Sequence, residues 1–292
     1  MLNLIVAPLS QCDKGEDYCK RIVKHLKTEK VEYSVYFSPN MEAVSTNAEE
    51  LTKEGETDFV IIGDDIVLHT FLNSVKDISK IKLGLVPVGV ADFAQYLGAN
   101  SNPVQAIKDV LLGNVEEIDY LKVNNKIVIN NLVIGASTEI YELYSHKKIK
   151  NALTKKMLRS RYGNSFSGTN LVLDIKAENK QPAEENVFEL CIANGGKSKG
   201  KTISPLSNVK DGLFNLSYIT LGEVEERGKY ITQFESGQQI YNEHTRQKWL
   251  TSMRITSPSG KIKTLLDGEI VELENLTVNI VCGGLKILKA QI

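Results

Sequence analysis

The chain is poor in cysteine, histidine, tryptophan and proline, and it carries no excess of charge of either sign. Its four cysteines, Cys12, Cys19, Cys191 and Cys282, form no CxxC pair. That excludes a zinc ribbon and a disulfide framework, and it points to a reducing, cytoplasmic compartment. Its four histidines, His25, His69, His146 and His244, show neither HxxxH nor HExxH spacing, so no zinc-peptidase helix is present. Ser165 and Ser167 lack the glycines of a nucleophile elbow. Lys plus Arg number 35 against 36 for Asp plus Glu, a net charge of −1. This excludes a protein that coats nucleic acid through its overall charge. No run approaches the ~18 apolar residues of a spanning helix. The opening MLNLIVAPLSQCDKGED has no basic n-region and reads as a buried strand rather than a signal peptide. The lone Trp249, with Tyr241 near it in sequence, reads as core or interface.

What the chain does have is an ordinary globular composition, 42% apolar and 24% charged over 292 residues. That length favours two domains and permits a substantial core. The first part alternates apolar runs with helical patterns. LNLIVA (2–7), VEYSVYF (31–37), DFVIIG (58–63) and KLGLVPVG (82–89) read as strands. Helical patterns fall at 15–28, 41–54, 66–78, 90–97 and 103–112. Repeated βα units imply a parallel sheet flanked by helices, with ligands at the carboxyl ends of the strands. Beyond about Asn114 the texture changes to short alternating runs with Asn and Gly turns. Strands are expected in 169–178, 186–194, 212–220, 249–257, 261–268 and 276–284, with helical interruptions at 137–160 and 222–240. The expected division is an α/β nucleotide-binding-like domain over 1–116. A mostly antiparallel β-sandwich follows over 117–292.

Two strand-to-helix junctions stand where a phosphate-binding turn would stand: Gly63-Asp64-Asp65-Ile66-Val67-Leu68-His69 and Pro87-Val88-Gly89-Val90-Ala91-Asp92-Phe93-Ala94. The plainer reading is that Asp65 caps the helix after it. Near the other end, Asp267-Gly268-Glu269 sets two carboxylates across a glycine. Two such acids can divide into an orienting group and a general base, or they can mark a β-turn. Asn194-Gly195-Gly196 and Asp211-Gly212 are ordinary turn signals when read singly.

Taken in order, these pieces, with Leu97-Gly98 and Pro205, resemble the diacylglycerol kinase and sphingosine kinase family of soluble lipid kinases, bacterial branch. That family has Gly-Gly-Asp-Gly-Thr-Leu-Asn-Glu after a strand, then Pro-Leu-Gly-Thr-Gly-Asn-Asp-Phe-Ala-Arg. A closing Asp-Gly-Glu follows much later. The resemblance covers nearly the whole chain. It implies an NAD-kinase-like α/β domain followed by a β-sandwich, and transfer of the ATP γ-phosphate to a lipid hydroxyl such as that of diacylglycerol. By the same analogy Glu269 is the general base, with Asp267 beside it. Asp65 and Asp92, with Gly63 and Gly89, organise phosphates and Mg²⁺. Ser10 in the first turn and Ser38 after the second strand lie near the nucleotide. Asp211, with the carbonyls of Asn208 and Leu213, matches a family metal site of oxygen ligands suited to Mg²⁺ or Ca²⁺.

The departures cluster on the nucleotide side. Asp64 replaces the second glycine of the first motif, Ile66 the third and Val67 the threonine. A β-branched residue forced into a left-handed turn costs about 1–2 kcal/mol. An Asp64 carboxylate facing a phosphate at ~4 Å costs about 4 kcal/mol at an effective dielectric near 20. A catalytically inactive pseudokinase that binds lipid or a partner protein is therefore the alternative. NAD-kinase chemistry is a third reading, disfavoured by the Asp92-Phe93-Ala94 and Asp-Gly-Glu matches. Finally, Lys147, Lys148, Lys150, Lys155, Lys156, Arg159 and Arg161 form a run without acids. It reads as a solvated helix face or as a dock for anionic lipid headgroups at the membrane surface. No aromatic stacking pattern accompanies it, so nucleic acid is not expected.

Overall fold

Every residue of Leu2–Val6 is buried, as a strand covered on both faces requires. This is β1 of the computed structural model, which describes all residues except 8–13, 147–150, 176–180, 199 and 290–292. After β1 come α1 (Lys14–Thr28), β2 (Tyr33–Phe37), α2 (Met41–Lys53), β3 (Asp58–Gly63) and α3 (Asp65–Ser74). β4 (Lys82–Pro87), α4 (Asp92–Tyr96), α5 (Pro103–Leu112) and β5 (Asn114–Val123) complete this stretch. The strands pair in parallel in the order β2-β1-β3-β4. Ile22 and Leu26 of α1 and Ala106, Ile107 and Val110 of α5 pack on one side of the sheet. Elsewhere, Phe71 of α3 meets Phe59 of β3, with ring centroids 5.0 Å apart. A Cβ on Gly84 would stand 2.6 Å from the Val110 side chain, so the glycine lets α5 close on β4. Asn40 caps α2 by accepting the Ala43 N–H, and Asn102 caps α5 ahead of Pro103, as the local sequence dictates.

The chain leaves this first unit in β5, at Tyr120, and re-enters it at Val281. Between the two crossings lie β6 (Lys126–Val128), β7 (Asn131–Gly135), α6 (Ala136–His146), α7 (Ala152–Ser165), β8 (Thr169–Asp174) and β9 (Ala183–Ala193). The two-residue strands β10 (Lys197–Ser198) and β11 (Lys201–Thr202) follow, then β12 (Phe214–Thr220) and α8 (Val224–Ser236). Last are β13 (Arg246–Leu250), β14 (Ser252–Thr256), β15 (Ile262–Leu266), β16 (Glu269–Leu273) and β17 (Asn275–Lys289). Pairing in this second unit is antiparallel throughout: β16-β15-β7-β9-β8-β14-β17, with β12 between β9 and β13. Leu190 and Ile192 of β9 enter a core shared with Leu132, Phe214, Ile255, Leu266 and Val278. Cys191 and Ala193 face a second cluster formed with Ile140 of α6 and Ile231 and Phe234 of α8. No described helix is long and apolar enough to cross a membrane.

Three expectations change. The division expected at 116/117 falls at 120/121, and the end of β17 returns to the first unit, where Lys286 and Ile287 pair in parallel with Lys82 and Leu83. The single strand expected at 249–257 is two, β13 and β14, broken at Thr251. The helical stretch 137–160 is also two elements. Asn151 starts α7 afresh by accepting the N–H groups of Leu153 and Thr154.

Candidate functional site

In the first unit the candidate residues gather at the carboxyl ends of the parallel strands. Ser38 follows β2 and is fully buried. Its N–H donates to the Val6 carbonyl at 2.8 Å, and its Oγ accepts from Asn47 Nδ2 at 3.0 Å. Ser10 lies outside the described residues. Gly63 ends β3, and the Val88 N–H after β4 donates to its carbonyl at 3.0 Å. Gly89 takes φ +72, which only glycine adopts without strain.

The two aspartates after β3 divide the capping work. Asp64, not Asp65, is the N-cap of α3, its carboxylate accepting the Val67 N–H at 3.2 Å. Asp65 reaches instead to the start of α4, where its carboxylate accepts the N–H of Asp92 at 3.0 Å and of Phe93 at 3.1 Å. The N-cap position of α4 is Ala91, which has no side-chain acceptor, so a carboxylate 27 residues earlier supplies one. Burial holds the Asp64 carboxyl above the ordinary aspartate range, opposed by N–H groups of its own turn. Asp92 is buried.

The strain expected of Ile66 and Val67 is absent. Both lie within α3, and the described non-glycine residues with positive φ are Lys30, Asn124 and Asp267. Val67 is buried under Gly63, where an added Cβ would sit 2.9 Å from it. Ile66 and Val67 stand in the first turn of a helix. That helix presents no hydroxyl at Val67, and neither junction contains Lys or Arg. The void lined by Gly63, Asp64, Asp65 and Ala91 is about 10 Å³, about the space of a single water. Among the described residues, no three or more His, Cys, Asp or Glu side chains group to hold a metal.

The second unit brings together motifs that read separately along the sequence. Asp267 is buried and adopts φ +47. Its Oδ2 accepts the Ile129 N–H at 2.7 Å, and its Oδ1 accepts those of Asn130 and Asn131 at 2.8 and 3.0 Å. The Asp267 N–H donates to the Asn131 carbonyl. The same turn holds the other motif. The N–H groups of Asn194 and Gly195 both donate to the Asn130 carbonyl at 2.9 Å, and Asn194 Nδ2 donates to the Ile129 carbonyl at 2.8 Å. Asn130 Nδ2 reaches the Lys197 carbonyl at 2.6 Å. Residues 129–131 are thus a hub between Asn194-Gly195-Gly196 and Asp267-Gly268-Glu269. Sequence reasoning missed this hub, and its only local signal is the Asn130-Asn131 pair before a strand. Glu269 begins β16 with its carboxylate 3.0 Å from Lys126 Nζ, both side chains partly open to solvent.

At the other predicted positions, Asn208 Oδ1 accepts the Lys210 N–H and Asp211 Oδ1 accepts the Leu213 N–H, so each side chain closes a turn of its own loop. Of the basic run, Lys147, Lys148 and Lys150 lie outside the described residues. Lys155 sits over the Tyr144 ring, 5.6 Å from its centroid, and Arg159 pairs with Glu235 at 2.9 Å. On α7, Leu153 and Met157 are 68% and 66% exposed, on a face that also carries the exposed Lys156 and Arg161.

The family model of the diacylglycerol kinase catalytic domain matches residues 1–123. A diacylglycerol kinase of Staphylococcus epidermidis is 27% identical over 248 residues, covering 80% of this chain and 74% of its own. One from Staphylococcus aureus is 25% identical over 234 residues, covering 76% of this chain and 70% of its own. A solved diacylglycerol kinase from Bacillus anthracis strain Sterne shares the fold with a TM-score of 0.73 at 16% identity, over 99% of this chain and 96% of that one. Residues 1–123 are therefore similar in sequence to the diacylglycerol kinase catalytic domain, and the chain as a whole is similar to bacterial diacylglycerol kinases.

Proposed function

We propose that the chain is a lipid kinase of the diacylglycerol type, which moves a phosphoryl group from a nucleotide to a lipid hydroxyl. The observation that carries this reading is the anchoring of Asp267-Gly268-Glu269. Three backbone N–H groups fix Asp267, so Glu269, two residues on, starts from a rigid point. A carboxylate held in place and open to solvent on one side suits a general base that takes the proton of an incoming hydroxyl. Asp267 then acts as the orienting group, its oxygens committed to the turn. Asp65 and Asp92 tie the two helix starts of the nucleotide side together. ATP is the donor that the family implies, with a divalent cation, usually Mg²⁺. The Asp211 carboxylate with the carbonyls of Asn208 and Leu213 is an oxygen set that would hold a separate, structural cation in its own loop, away from the chemistry.

A lipid kinase has to reach its substrate in a membrane surface, and α7 offers the means. Leu153 and Met157 lie one turn apart and exposed, bracketed on the same face by Lys156 and Arg161, with no acid between 147 and 165. Apolar insertion plus cationic attraction is the composition of an interfacial helix. The expected result for Leu153→Asp/Met157→Asp is at least a tenfold loss of co-sedimentation with phosphatidylglycerol vesicles, at unchanged thermal stability. Equal binding by the double variant removes α7 from this role.

A second reading, a catalytically inactive lipid-binding protein, is favoured by the self-capped loops at Asp64 and Asp65. The experiment that separates the two is transfer of labelled γ-phosphate from ATP with Mg²⁺ to diacylglycerol in anionic vesicles. Labelled lipid supports the kinase. No labelled lipid at millimolar ATP, from protein that sediments with the vesicles, supports the inactive binder.

A further inference from the structure

The kinase reading needs a nucleotide phosphate at the amino end of α3, and that end is already held by an anion of the chain itself. The N–H groups opening a helix attract anions, and a phosphate-binding turn leaves them free by using glycine. Here Asp64 stands where the family has glycine, and its carboxylate accepts the Val67 N–H at 3.2 Å. The second loop is engaged in the same way, because Asp65 takes the N–H groups of Asp92 and Phe93. Asp65 matches an aspartate that the family also has at this place, so it does not explain a difference in donor use. Asp64 does. Capping alone does not require it, since serine, threonine or asparagine would serve as well without a charge.

We propose that Asp64 is the residue that keeps nucleotide phosphate off this loop, by filling the phosphate position with its own carboxylate. It is a determinant of donor selection, and this inference rests on the lipid-kinase reading for its context. Bound phosphate and the Asp64 carboxylate compete for the same amides and repel each other in a half-buried setting, where like charges are poorly screened. In this chain the glycines matter less for their flexibility, because α3 already starts without strain at Ile66 and Val67. The charge is the remaining obstacle.

Two variants of the full chain test this. Asp64→Gly restores the family residue and opens space, and glycine is tolerated at an N-cap. Asp64→Asn keeps the cap and removes only the charge. The probe is ATP with Mg²⁺, titrated calorimetrically against wild type and both variants, with thermal unfolding to verify that each is folded. The expected result is wild-type binding weaker than millimolar and at least tenfold tighter binding by both variants. Micromolar ATP binding by wild type overturns the proposal, as does binding by the variants no tighter than wild type. Lipid phosphorylation is then measured on the same samples. Variants that bind ATP yet phosphorylate no diacylglycerol leave the Asp64 inference standing and defeat the kinase reading. Wild type that phosphorylates diacylglycerol at micromolar ATP does the reverse.

Discussion

Asp267→Ala is expected to cost about 3–5 kcal/mol of folding stability, about a fifth or more of what a domain of ordinary stability possesses. Three effects combine. The substitution removes three charge-assisted hydrogen bonds, each within 3.0 Å. It leaves the N–H groups of Ile129, Asn130 and Asn131 buried without that acceptor, and an unsatisfied buried donor costs more than the bond itself contributed. It also puts alanine at φ +47, a conformation that aspartate and asparagine tolerate better. Asp267→Asn separates these contributions. It keeps the left-handed preference and one acceptor oxygen, but turns an amide NH₂ toward donors, so an intermediate loss is expected. Guanidinium unfolding midpoints at constant slope provide the measurement. A loss below about 1 kcal/mol for Asp267→Ala would show that the hub is held by its other bonds, those from Asn194 and Gly195.

Glu269→Gln is expected to separate chemistry from folding in the opposite sense. The side chain is partly exposed, and its ion pair with Lys126 is of a kind that contributes little to stability. Glutamine keeps the size and can still accept from Lys126, so the unfolding midpoint stays within experimental error of wild type. Turnover with a lipid acceptor falls by about 10²–10⁴, the usual worth of a positioned general base. The fall appears in kcat, with KM for the lipid little changed, because proton transfer occurs in the transition state and not on binding. Turnover within threefold of wild type would remove Glu269 from the base role. Where Asp64 restricts the donor, the comparison is best made in the Asp64→Gly background, which raises the reference rate.

The βα half of the fold is legible because its signals are local. A central parallel strand such as 58–63 is apolar nearly throughout, α1 and α5 carry their apolar residues at helical spacing, and Asn40 and Asn102 mark helix starts with side chains only a few residues away. The misses are all long-range. Two adjacent aspartates look alike as caps. Only the packing of α4 beside α3 and β4 sends Asp65 to Phe93 while Asp64 stays at home. The order of the family motifs is readable in sequence, but their meeting at residues 129–131 depends on β7 pairing with both β9 and β15. Nothing near Lys286 announces a partner at Lys82. The outward placement of Leu153 and Met157 on α7 follows from which face of that helix packs, a long-range outcome that helical spacing alone leaves open.

The return of β17 to β4 has a consequence for biosynthesis. Residues 1–120 emerge first, but the strand that completes their sheet belongs to the segment beginning at Val281. Residues 121–280 must be translated in between, which takes roughly 8–30 seconds at ~5–20 residues per second. Throughout that interval β4, apolar and buried in the finished protein, presents an unpaired edge to whatever lies nearby. Such an edge invites pairing with another chain. A fragment ending before Val281 is therefore expected to aggregate more readily than the full chain, which expression of residues 1–280 beside 1–292 would measure.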